Sequence, residues 1–272
     1  MFVFIFLFGL LVGSFLNVII LRFDTGKGIG GRSGCFSCGN TLSWFELIPV
    51  FSFLFLKGKC RHCKSAISNQ YPLVEMSTAI MFLAVYIIEP FRNTFSGIDL
   101  LLLLSSLVVW ATLIVIFVYD LRHMVIPSEL SIVFAITALL RVLLNVFNQG
   151  ISVLYSSLLG ALVLAGFLGC LWFFSKGAWM GFGDVEFAVG MGLYLGLPIG
   201  VSALAYSFWI GATIAISILL YKKIMGTSRL GGSNKQITMK SEIPFAPFLI
   251  LGTAVAWYTQ ADLFHLSLLL SS

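Results

Sequence analysis

Long apolar runs separated by short polar segments organise this chain. A helix needs about 20 residues to cross hydrocarbon. Eight runs approach that length: Phe2–Leu21, Leu73–Ile88, Ile98–Tyr119, Glu129–Phe147, Ile151–Phe174, Gly183–Leu197, Ile199–Tyr221 and Pro244–Leu268. Each is expected to be helical, because lipid offers no partner to a backbone N–H or C=O. The pattern predicts an all-α polytopic membrane protein with about eight transmembrane helices. No internal repeat is evident. Phe2–Leu21 lacks a basic start and a clear small-residue cleavage site, so it reads as a retained span.

Positive charge is sorted between the loops. Counted from the N-terminus, the odd loops carry fourteen of the sixteen lysines and arginines. Loops of that kind stay in the cytoplasm, which puts both termini on the other side. The same bias retains the short sixth span. Without it, the basic seventh loop would change sides. Thr227–Lys240, rich in Gly, Ser and Lys, reads as a flexible cytoplasmic loop.

Composition agrees with this. The chain is 59% apolar and only 10% charged, against about 25% charged in soluble domains. The net charge of +5 follows from topology and from attraction to anionic membrane lipid. It does not call for nucleic acid. The expected organisation is a first helix (1–21), a small cytoplasmic insert (22–72) and a membrane core (73–272).

The insert carries the first candidate chemistry. "CFSC" and "CRHC" place Cys35, Cys38, Cys60 and Cys63 in two C-x-x-C pairs, with twenty-one residues between the pairs. Four thiolates can close a tetrahedron around zinc at about 2.3 Å and leave no open position, so the metal would be structural. Disulfide or redox pairing and free thiols are the alternatives, and a reducing cytoplasm disfavours disulfides. His62 offers a weaker substitute ligand. Cys170, alone in the fifth run, is expected to pack as an apolar residue.

The second is a pair of acids. Asp120 ends the third run in "VYDLRHMVIP", and Asp184 opens the sixth in "GFGDVEF". The topology puts both at the cytoplasmic interface. Two adjacent carboxyls tend to share one proton. The ionised one can activate water while the protonated one hydrogen-bonds a scissile carbonyl, as in aspartyl proteases. A helix-cap role for Asp184, an interfacial role for Asp120, and ion or proton transport stay open at this level. Gly181 and Gly183 can let backbone approach a substrate closely. Asn17 suits a hydrogen bond between helices.

Together these blocks resemble the type IV prepilin peptidases, membrane aspartyl proteases of the GxGD class. "GSFLNVIILR" (Gly13–Arg22), the two cysteine pairs, "YPLVE" (Tyr71–Glu75), Asp120 with Ile126–Pro127, "GFGD" (Gly181–Asp184) and "PFAPFL" (Pro244–Leu249) follow the family's order. The resemblance implies cleavage of the basic leader of type IV prepilins or pseudopilins at the cytoplasmic face of the bacterial inner membrane. It also implies N-methylation of the new terminus from S-adenosylmethionine. Asp120 and Asp184 would be catalytic, and the four cysteines would hold zinc. One departure stands out. The family commonly has lysine two positions after the second aspartate, where this chain has Glu186. Glu186 is a candidate contact for a basic leader.

Overall fold

The structure is a computed structural model that describes residues 1–23, 28, 30–89, 97–225 and 244–267. Thr227–Lys240 and Leu268 lie outside the described residues. Among those described, regular structure is helical, with two isolated antiparallel bridges, Gly34↔Thr41 and Lys59↔Ala66. The chain divides into two compact units, residues 1–118 and 119–272.

In the first unit, α1 (Phe2–Arg22) lies against α3 (Gln70–Ile88). Small residues set the contact. A Cβ on Gly9 would come 2.6 Å from the Ala79 Cα, and one on Gly13 would come 2.6 Å from the Glu75 Cα. Lipid removes the hydrophobic drive between helices, so close backbone approach is what holds them. Asn17 is buried and donates to the Tyr71 carbonyl at 3.1 Å, the expected bond between helices. Between α1 and α3 stand a 3-10 turn (Trp44–Leu47) and the short helix α2 (Phe51–Phe55), packed on one another. α4 (Gly97–His123) follows α3 and carries its last turn into the second unit.

The second unit contains α5 (Ser128–Gln149), α6 (Ser152–Ser175), α7 (Phe182–Met225) and α8 (Ala246–Thr259). α7 is packed by α5, α6 and α8. Glycine again permits the contacts. A Cβ on Gly192 would fall onto the Ala161 nitrogen of α6, and one on Gly190 would strike the Phe134 ring of α5.

α7 is interrupted at Gly196, whose φ of 73° and ψ of 176° are not helical. Only glycine enters that region without strain. Beyond it the chain folds back. A Cβ on Gly200 would lie 3.9 Å from the Gly192 Cα, where eight residues of unbroken helix would span about 12 Å. The freed Leu197 N–H donates to Ser156 Oγ at 3.3 Å, and Pro198 has no N–H to satisfy. The two arms of this hairpin correspond to the separate runs Gly183–Leu197 and Ile199–Tyr221.

By length and composition α1, α3, α4, α5, α6 and the unsplit α7 are able to cross a membrane, six candidate spans among the described residues. α8 is shorter than its apolar run. It stops at Thr259, and Gln260 turns left-handed with φ 50°. Asp262 then accepts the N–H groups of Leu266 at 3.0 Å and Ser267 at 2.7 Å. Averaged hydropathy does not register such a polar stop. Cys170, expected as an apolar packing residue, is exposed on α6.

Candidate functional site

The two cysteine pairs fold into matching turns. The Cys35 N–H donates to the Asn40 carbonyl at 2.9 Å, and the Cys60 N–H to the Ser65 carbonyl at 2.8 Å. The Gly39 N–H returns to the Cys35 carbonyl as the Lys64 N–H returns to that of Cys60. Gly39 and Lys64 both have positive φ, 71° and 61°. The turns are thus a local repeat at the backbone level, which the side chains, beyond the cysteines, conceal. They bring all four Sγ atoms within 4.8 Å of one another.

Cys35 and Cys63 stand 3.8 Å apart. That is about the edge of a tetrahedron with 2.3 Å metal–sulfur arms. The group fits a metal ion, and the four thiols can hold one. Backbone amides of Cys38 and Ser37 help lower the Cys35 thiol to about 6. The Ser65 hydroxyl and amide lower that of Cys63. Both shifts favour the thiolate, the ligating form, whereas Cys38 in the same cluster is raised to about 11, the Asn40 amide being outweighed by the neighbouring thiols. His62 is exposed beside a set that is already complete.

Glu75 lies elsewhere in the first unit. It is buried in α3, and its Oε2 accepts the Val50 N–H at 2.7 Å. Val50 has φ 61°, a left-handed value that is strained for a β-branched residue. The carboxylate therefore fastens the start of α2 to α3.

Asp120 and Asp184 both belong to the second unit. They are 3% and 5% exposed, and the charge of Asp120 acts on the Asp184 carboxyl. Asp184 is the third residue of α7, and its side chain reaches back to the Gly181 amide, as a first-turn acid commonly does. Asp184 thus lies inside the first turn, past the helix start at Phe182, and not at the N-cap position. Asp120 sits in the last turn of α4, where the helix dipole opposes negative charge by about 0.3–1 kcal/mol. The Ala246 amide, at the first position of α8, bonds its carboxyl and offsets that opposition. Among the described residues the buried Asp120 Oδ2 atom has no hydrogen-bond partner. Two helix N-termini thus converge on two carboxyls, one of which keeps a free acceptor.

Gly183 packs on the loop after α4, where its absent Cβ leaves 2.9 Å to the Ile126 Cβ. Gly181 is exposed, and a Cβ there would stand 4.0 Å from Asp184 Oδ2. Glu186 is half-buried, and its Oε2 has no hydrogen-bond partner among the described residues. The Ala246 amide was not singled out from sequence. Its only signal was the proline-flanked "PFAPFL", which brings a helix start to this place.

Two family models match this chain. The Bacterial Peptidase A24 N-terminal domain matches residues 7–88, and the Type IV leader peptidase family matches residues 107–216. A Bacillus subtilis (strain 168) protein named prepilin leader peptidase/N-methyltransferase is 32% identical over 254 residues, covering 93% of this chain and 92% of its own. One of the same name from Aeromonas salmonicida (strain A449) is 28% identical over 98% of this chain and 94% of its own. A Myxococcus xanthus (strain DK1622) relative, likewise named, is 33% identical over 80% of this chain, which spans 63% of that protein. No solved structure matches. This multi-pass helical chain belongs to the type IV leader peptidase family, whose named members are prepilin leader peptidases and N-methyltransferases.

Proposed function

We propose that Asp120 and Asp184 hydrolyse the peptide bond that joins the leader of a type IV prepilin or pseudopilin to its mature chain. The observation that carries this reading is the buried, electrostatically coupled pair with an unpartnered oxygen on Asp120. One carboxylate takes a proton from water as it attacks the scissile carbonyl. Its protonated partner hydrogen-bonds the carbonyl oxygen. The tetrahedral intermediate then collapses, and the leaving amine takes up a proton from the dyad. The pair titrates as a unit, so neither member is named the acid.

The excess of positive charge in the odd loops supports reading this chemistry at the cytoplasmic face. The leader is basic there, and Glu186 gives it a carboxylate to meet. Replacing Glu186 with lysine should weaken the preference for basic leaders. An unchanged preference removes that role. The metal of the four cysteines is zinc, held for structure, since four thiolates leave it no open position.

Methylation of the new N-terminus follows from the relatives' name. S-adenosylmethionine supplies the methyl group when bound, and no residue of this chain is assigned to it.

The test is co-expression with candidate prepilins and mass measurement of their N-termini. Asp120→Asn and Asp184→Asn should each abolish cleavage and leave membrane insertion intact. Robust turnover in either variant ends the aspartyl reading. The same masses report methylation separately.

A further inference from the structure

The insert between α1 and α3 presents an apolar face that no other described residue covers. Trp44 is 79% exposed and Phe55 is 83% exposed. Phe51, Leu54 and Phe55 occupy one side of α2, at helical spacings of three and four residues, and all are exposed. The 3-10 turn packed on α2 adds Trp44 and Phe45, whose rings meet edge to face at 5.9 Å. A soluble surface rarely leaves so many large rings together without a partner.

Charge identifies the partner. Among the described residues from 28 to 69, every exposed formal charge is positive: Arg32, Lys57, Lys59, Arg61 and Lys64. The one carboxylate there, Glu46, is buried and accepts the Ser43 N–H at 2.8 Å. Arg61 lies over the Phe45 ring at 5.2 Å, so cationic and aromatic groups share one surface. Aromatic rings edged by lysine and arginine are what a bilayer interface selects. Each such cation near an anionic leaflet adds attraction. The tether agrees, for the insert leaves one candidate span at Arg22 and enters the next at Gln70. A basic leader would be repelled by this surface.

We infer that the Trp44–Phe55 face of the insert is seated in the headgroup layer of the membrane that α1 and α3 cross, with anionic lipid phosphates held by its lysines and arginines. The inference rests on multi-pass insertion and is independent of the aspartate chemistry. The insert is then more than a metal-bound spacer. It is a second contact with the bilayer, one that fixes the α2 turn at headgroup depth.

The experiment uses the full chain in nanodiscs of phosphatidylcholine with and without phosphatidylglycerol. Lipids brominated near the headgroup quench nearby tryptophan. The share due to Trp44 is the difference between the unaltered protein and Trp44→Phe. That share should be strongly quenched when phosphatidylglycerol is present. It should fall by more than half in the Lys57→Glu, Lys59→Glu double variant. A Trp44 share that bromolipid leaves unquenched and acrylamide reaches freely overturns the inference. So does one shielded equally in detergent and bilayer, with cross-links between copies, which would mean a protein partner. Quenching indifferent to phosphatidylglycerol and to the double variant overturns the anionic part. Cleavage of prepilin is scored separately, so loss of lipid contact and loss of catalysis are distinguishable.

Discussion

Gly183 rests on Ile126 so closely that a Cβ on the glycine would lie 2.9 Å from the Ile126 Cβ. The contact joins the loop after Asp120 to the first turn of the helix that carries Asp184. A valine at 183 would force the two apart. Overpacking of this kind is worth about 1–3 kcal/mol. Misplacing a catalytic group by an ångström can slow turnover roughly 100-fold. Gly183→Val should therefore stay folded, with thermal unfolding shifted down, and lose most leader cleavage. Full activity with unchanged unfolding would mean that this contact does not set the spacing of the aspartates.

Ala246 allows a finer test of the same pair. Its amide bonds Asp120 from the first position of α8, where a helix tolerates proline because that N–H has no intrahelical partner. Ala246→Pro should delete the donor and keep the helix. Hydrogen bonds to charged groups contribute about 1.5–3 kcal/mol, so kcat should fall roughly tenfold or more. KM should move little, because the bond serves the acid and not the leader. A variant with unaltered kcat shows that the amide is only a helix end.

Much of this was legible in the chain because hydrophobic runs and motif order are one-dimensional signals. The break between the arms of α7 could be read because Gly196 and Pro198 interrupt an apolar run. Charge sorting led to the expectation of one interface for Asp120 and Asp184, and only the family resemblance named them as a catalytic pair. The early end of α8 was not legible. It depends on a left-handed Gln260 and on Asp262 accepting two amides, details that hydropathy averages away. The repeat in the cysteine turns was hidden because Gly39 and Lys64 adopt one conformation with different side chains. The Ala246 amide was hidden because a backbone donor leaves no residue type to notice.

Val50 and Glu75 should respond in opposite directions. Val50 holds φ 61°, which strains a β-branched residue by about 1–3 kcal/mol. Glycine accepts that conformation, so Val50→Gly should be neutral or stabilising. Glu75→Ala removes the acceptor of the Val50 amide and should loosen α2. Glu75→Gln keeps an acceptor oxygen and should fall between. Amide hydrogen exchange across residues 50–56 separates the three. Greater protection in Glu75→Ala than in the unaltered chain would refute the fastening role.

Metal removal should act on the insert first. A fold of this size buries little apolar surface of its own, and in small zinc sites the binding free energy is folding free energy. Elemental analysis should find one zinc per chain. Cys60 is the buried member of the set, so Cys60→Ser should lose the metal, whereas Cys170→Ser, in α6 and outside the cluster, should keep it. Chelation should abolish hydrogen-exchange protection in the two cysteine turns. Helical content should scarcely change, because the long helices are held by glycine contacts that do not involve the metal. Retained protection in metal-free protein would show that the bridges at Gly34–Thr41 and Lys59–Ala66 hold the turns unaided.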